Sequence, residues 1–263
     1  MTLKGMLSLP HISRRAWMVW RRDRDVFTKT IIVNFIPPIA EPVIYIAAFG
    51  FGLGLLVSQI GGHSYAEFIA PALVAITIMN ASFFECTFAS FVRMYYQKTF
   101  DAIVSTPLNV DEVIAGEILW GATRSTISAT VITVVIALFG LVHAWTVLIV
   151  IPFSFLGGFM FASIAMCFTA VTPKIENLNY PTSLFIMPMT LVSNTFFPLS
   201  LLPGSVQAVA QWIVPLLHVT DIVRAATWGD FSVGLIWSLL WILVISAVFF
   251  LLAINLMKRR LIV

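Results

Sequence analysis

Three acidic side chains, Glu41, Glu85 and Glu117, stand inside long apolar stretches of this 263-residue chain. An ionised group in hydrocarbon is costly enough that each is a functional candidate by default. Glu41 follows Pro37 and Pro38 and precedes Pro42, a setting that kinks a helix and frees carbonyls nearby. Glu85 sits in a polar patch with Asn80, Ser82, Thr87 and Ser90. Glu41, Asn80 and Glu85 are therefore candidates to line a translocation path, with polar bonding between helices as the alternative. Glu117 and Arg124 lie seven apart, two turns along one helix face, and read as structural ion-pair partners for neighbouring spans near the inner interface. No relay of acids and histidines crosses the chain, which argues against proton coupling.

Other chemistry has little to stand on. There is no GxxxxGK[ST] phosphate loop, no HExxH or GxSxG, and no HxE with paired cysteines. His11, His63, His143 and His218 are scattered, and Cys86 and Cys167 lie alone in apolar segments as small buried hydrophobes. His218, Asp221 and Arg224 fall close together, and the first two, three apart, share a helix face. They read either as a site acting on lipid headgroups or as a helix bonding itself in place. No catalytic residue, metal or cofactor is assigned to this chain.

The elements that must hold these residues follow from composition. The chain is 60% hydrophobic and 10% charged, against roughly 45–50% and about 25% in soluble domains. Runs of about 20 apolar residues, the length that crosses hydrocarbon, occur at Ile31–Val57, about Phe68–Val92, about Val113–Leu141, about Thr146–Val171, from near Leu178, and at Phe231–Met257. The expected architecture is all-α and polytopic, with six transmembrane helices. Leu199–Asp230 is broken by Pro203, Gly204 and Pro215, and reads as two short outer re-entrant helices between spans five and six rather than a seventh span.

Lysine and arginine set the orientation. They cluster before the first span (Lys4, Arg14, Arg15, Arg21, Arg22, Arg24, Lys29), after the second (Arg93, Lys98), after the fourth (Lys174) and after the last (Lys258, Arg259, Arg260). Both termini are then cytoplasmic, and the net charge of +3 belongs to topology rather than to a nucleic-acid partner. The N-terminus lacks a continuous apolar run before a small-residue cleavage site, so it is not read as a secretory signal. Residues 1–30 form a cytoplasmic segment and 31–263 the membrane domain. Within the former, Trp17, Trp20 and Phe27 recur at near-helical spacing beside Arg21 and Arg24, as in a helix lying at the inner interface. After the second span, Phe100, Ile103 and Val104 make a short apolar face before Thr106-Pro107, and Asp111 and Glu112 open the next helix. That face suits a partner's groove or an interfacial turn against lipid.

Taken together, these residues resemble the permease subunits of ABC-2 type exporters, and within them the lipooligosaccharide and nodulation-factor export branch. The resemblance covers nearly the whole chain. It rests on the basic N-terminal helix, on Phe100-Asp101-Ala102-Ile103-Val104-Ser105-Thr106-Pro107-Leu108 leading to Gly116-Glu117, on Asn194-Thr195-Phe196-Phe197-Pro198-Leu199-Ser200-Leu201-Leu202-Pro203, and on Pro215 to Arg224. It implies a bacterial inner-membrane homodimer docked on two separate ATPase subunits that carry the ATP and Mg. It also implies a coupling helix at about 98–108 (Lys98, Phe100, Asp101, Ile103, Val104, Thr106, Pro107, Leu108) and an interface helix (Trp17, Trp20, Arg21, Arg24). The outer re-entrant region, about 199–230, would lie at the exit path with Asn194, Phe197, Pro198, Pro203, His218, Asp221 and Arg224. Export of an amphiphilic substrate, a lipid-linked glycan or a drug, is the function so implied. An ion-coupled transporter using Glu41 and Glu85, or a lipid-modifying enzyme, are the competing classes. Ser193-Asn194 stands where the family carries a small residue, and no sugar-binding domain is appended.

Overall fold

The computed structural model describes residues 10–31, 40, 43–52, 54, 59–142 and 144–261. Most of the expected first span, Glu41 included, lies outside them, as do Lys4 and His143; its described part, 43–52, is helical. The protein is an all-helical, multi-pass membrane protein. Among the described residues four helices are long and apolar enough to cross a membrane: α2 (Tyr65–Tyr96), α4 (Val110–Leu138), α5 (Trp145–Val171) and α9 (Gly234–Leu261). Before them runs α1 (Ala16–Lys29), and a short α3 (Thr99–Val104) joins α2 to α4. After α5 come α6 (residues 175–191), α7 (Gly204–Ile213) and α8 (Pro215–Trp228). The last two meet at 89° and would form a fifth span if counted as one.

Local chemistry explains the ends. Ser64 and Glu67 form a capping box that starts α2: the Glu67 amide donates to Ser64 Oγ (3.3 Å), and the Ser64 amide donates to Glu67 Oε2 (2.9 Å). Glu112 takes the Asn109 amide at the start of α4 in the same way (2.9 Å). Pro215 occupies the first turn of α8, where its missing N–H is not needed, and this enforces the break from α7. Gly229, at φ 84°, ends α8 in the left-handed region. The second span runs past Val92 as far as Tyr96, so Arg93 is a helical residue rather than a loop cation. Two π turns, Glu85–Ala89 and Val92–Tyr96, lie in that final stretch.

The core is the packing of α2, α4 and α5, with α9 against α5 and α1 against α4. Water does not drive helices together inside a bilayer, so close approach at small residues does. A Cβ added to Gly158 of α5 would sit 2.6 Å from Ser125 Cβ of α4. Ser125 uses that proximity to donate to the carbonyls of Ile78 (3.1 Å) and Ser154 (3.3 Å), and Thr169 donates to that of Cys86 (2.7 Å). Gly158→Ile should cost about 1–3 kcal/mol, seen as earlier thermal unfolding in lipid nanodiscs. Gly204→Ala, which faces open space, should cause no loss.

Candidate functional site

Glu85 and Glu117 are held by arginines. Arg93 spans the pair: its Nη1 lies 2.8 Å from Glu85 Oε1 and its Nη2 2.6 Å from Glu117 Oε2, with Nε 3.1 Å from both Glu117 oxygens. Arg124 binds the other Glu85 oxygen, and Trp120 Nε1 donates to Oε1 at 3.2 Å. Ser90 donates to Glu117. Two carboxylates and two guanidiniums thus neutralise one another across α2 and α4, with Glu85 and Glu117 fully enclosed. Glu117 and Arg124 do not pair with each other; each pairs with α2. Asn80 is half-buried on the same helix.

Beside this network α1 lies against α4. Val19 fits over Gly116, where a Cβ would meet Val19 Cβ at 2.5 Å. Trp20 Nε1 donates to Thr123 Oγ1 (2.8 Å), its ring stacks on Trp17 (3.9 Å), and Arg24 lies 5.6 Å over it. Arg21 is exposed and Asp23 is buried. Further along, Arg15 donates to the Pro107 carbonyl, Ser13 to Glu112, and the His11 amide to Asp111 Oδ2 (2.8 Å). Lys258 of α9 reaches the same Asp111 oxygen at 2.8 Å. The N-terminal segment, the start of α4 and the end of α9 therefore converge beneath α3.

In α3, Phe100 is wholly buried and anchors the helix. Asp101, Val104, Ser105, Thr106 and Pro107 are exposed, while Ile103 and Leu108 are half-buried. Lys98, at φ 54°, turns the chain out of α2 and lies 5.4 Å over Tyr95. A 270 Å³ groove runs along Phe100, Asp101, Val104 and Ser105 to Val110 and Leu261.

At the opposite end, Asn194 (φ 58°) ties the chain after α6 to α8: its Nδ2 donates to Asp221 (3.3 Å), its Oδ1 accepts the Leu199 amide (3.2 Å), and its carbonyl accepts Arg224 Nη2 (2.7 Å). Arg224 also reaches the Phe68 carbonyl (3.3 Å) and lies 4.2 Å over the Phe68 ring. Tyr65 donates to the Phe196 carbonyl (2.9 Å). Phe197 and Pro198 are half-buried beside it, and Pro203 is exposed before α7. His218 turns elsewhere. Its Nδ1 is 3.0 Å from Ser238 Oγ, its Nε2 3.0 Å from the Gln211 carbonyl, and its ring stacks on Trp241. His218 and Asp221 thus have separate partners, in keeping with the alternative of a helix bonding itself in place. The carbonyl at Nε2 requires a proton there, leaving Nδ1 to accept from Ser238, while Asp221 answers to Asn194.

Arg93, Asp23 and Asp111 escaped the sequence reading as site residues. The π turns that aim Arg93 have no composition signal, whereas Asp23 is detectable as the one acid on the Ala16, Val19, Phe27 stripe. Arg93→Met should destabilise the protein by about 3–5 kcal/mol, since it strands buried carboxylates. Added Glu117→Gln should recover part of that loss, so a double-mutant cycle on unfolding in lipid should show coupling above about 1 kcal/mol.

Comparison with known proteins agrees with this architecture. The family described as ABC-2 type transporter matches residues 12–228. Nodulation protein J of Rhizobium meliloti (strain 1021) is 36% identical over 212 residues, covering 81% of this chain and 80% of that protein. Nodulation protein J of Rhizobium leguminosarum bv. viciae is 32% identical over 257 residues, 98% of this chain and 99% of that one. The inner membrane transport permease YadH of Escherichia coli (strain K12) is 23% identical over 250 residues, 92% of this chain and 93% of its own. With α1 through α8 inside the matched region and near full-length relatives on either side of 30% identity, the chain belongs to the ABC-2 type transporter family, as its membrane-spanning permease subunit.

Proposed function

We propose that this permease works as a homodimer with a separate ABC ATPase to export an amphiphilic substrate of the lipooligosaccharide class from the inner leaflet or cytoplasm. The observation that carries the reading is α3. It is a short helix pinned from within by Phe100, displaying Asp101, Val104 and Ser105 outward, and bonded through Pro107 to α1. An exposed, anchored helix between two spans can receive a push from a soluble partner and pass it to both of them and to α1. The family pairs permeases with ABC ATPases, which supports a phosphate loop carried by a separate chain.

Counting 31–57 as the first span and 175–191 as the fifth gives six, with both termini and the basic clusters cytoplasmic. α7 and α8 then form the outer re-entrant pair, with Asn194, Phe197, Pro198, Pro203, Asp221 and Arg224 at the exit. On this reading α1, with Trp17, Trp20, Arg21 and Arg24, lies at the inner headgroups. The substrate class rests on the nodulation-protein relatives and on the residues shared with that export branch. A translocation role for Glu41 and Asn80 belongs to this reading, while Glu85 has both oxygens occupied by arginines, which favours a helix-bonding role and weakens the ion-coupled alternative.

Asp101→Arg and Val104→Arg, which alter only the displayed face, should reduce ATP-driven export of a fluorescent lipooligosaccharide into inside-out vesicles by more than about tenfold, with unchanged melting. Phe100→Ala should instead cost about 3–5 kcal/mol of stability. Export at the wild-type rate by both arginine variants, or export stopped by an uncoupler and indifferent to ATP, would overturn the assignment.

A further inference from the structure

The face that α1 turns to α4 consists of Ala16, Val19, Asp23 and Phe27, an apolar stripe with one carboxyl group in it. Asp23 is 4% exposed. Its Oδ1 accepts from Arg22 Nη1 at 2.8 Å, and its Oδ2 is buried with no hydrogen-bond partner among the described residues. The charged groups acting on it are Glu117 from α4, Glu85 and Arg93 from α2, and Arg22 on its own helix; Arg124 of α4 lies over Phe27 on the same face of α1, and the Cys86 thiol donates to the Glu117 carbonyl. Arg93 is already committed to Glu85 and Glu117, and Arg124 to Glu85. Asp23 therefore adds a third carboxyl group to a site where Arg93 is already shared between two others, and among the described residues the cation that hydrogen-bonds it is Arg22, itself one-third exposed. A buried anionic oxygen without a donor is expensive, and a proton is the smallest group that removes the charge.

We propose that Asp23 is a proton-binding site beneath α1, and that seating α1 on α4 takes one proton from solution onto Oδ2. The carboxylate becomes a carboxylic acid, and no other bond is made or broken. Burial first, and the Glu117 charge second, push this carboxyl up to about 8 from its ordinary 3.8. The sign follows from linkage: a carboxyl raised in the seated state and ordinary when α1 lifts makes seating strongest in acid. Seating weakens as pH rises from about 4 to about 8 and levels off beyond. Near neutrality the seat is therefore responsive to small changes in cytoplasmic pH. Arg15 carries the effect onward, because its bond to the Pro107 carbonyl joins α1 to the segment behind α3.

The test uses full-length permease in lipid vesicles and involves no transport, so its failure leaves the exporter reading standing. The infrared difference between wild type and Asp23→Asn should show a protonated carboxyl at pH 6 that disappears with a midpoint near about 8. Hydrogen exchange of the α1 amides, corrected for intrinsic rate, should report opening that rises by up to about tenfold per pH unit below that midpoint in wild type. The same measure should be flat in Asp23→Asn. Asp23→Leu, which completes the apolar stripe, should be flat as well and serves if the amide variant folds poorly. No protonated carboxyl at pH 6, as when water or a lipid amine supplies the missing donor, overturns the proposal. So does one pH profile shared by wild type and both variants.

Discussion

A carboxylate carried into hydrocarbon must find a cation or take up a proton, and Glu85 and Glu117 find Arg93. That guanidinium has the reach and the planar fork to hold two carboxylates from two helices at once, and the arrangement of α2, α4 and α1 is built around it. α2 and α4 must approach closely enough for the bridge, which Gly121 of α4 allows: a Cβ there would sit 2.6 Å from Cys86 Sγ of α2. Arg124, the fourth charge, lies under Phe27 of α1. These four charges, counted among the described residues, fix the mutual register of two spans and touch a third helix through Phe27. Each member alone would be a liability in the membrane.

Much of the architecture was legible because hydrocarbon imposes a simple rule on composition. The long apolar runs at Phe68, Val113, Thr146 and Phe231 correspond to α2, α4, α5 and α9, with ends displaced by a few residues. Pro215 marked the break between α7 and α8. Arg93 was not legible as a partner. Eight residues from Glu85, it would stand about 80° away on a regular helix, and only the π turns of α2 alter that angle. Phe100 read as a face offered outward because apolar residues on a short helix look alike from either side. The fold buries it and displays its neighbours instead.

The C-terminal basic cluster shows the same limit. Lys258, Arg259 and Arg260 satisfy the charge rule for a membrane flank, yet two of the three have structural partners as well. Lys258 meets Asp111. Arg260 donates to the Thr169, Ala170 and Thr172 carbonyls at the end of α5, where a cation suits the helix dipole. A hydropathy profile counts such charges without seeing that they join the last helix to the rest.

The two π turns give α2 an asymmetry along its length. From Tyr65 to Phe84 the helix is α-helical with Pro71 in its interior, whereas from Glu85 to Tyr96 its hydrogen bonds include longer-looped turns. A π turn holds one surplus residue that can be passed to the next turn by exchanging neighbouring hydrogen bonds. The end of α2 nearest α3 is thus built differently from the rest of the helix, and Arg93, carried on that stretch, is its charged contact with α4.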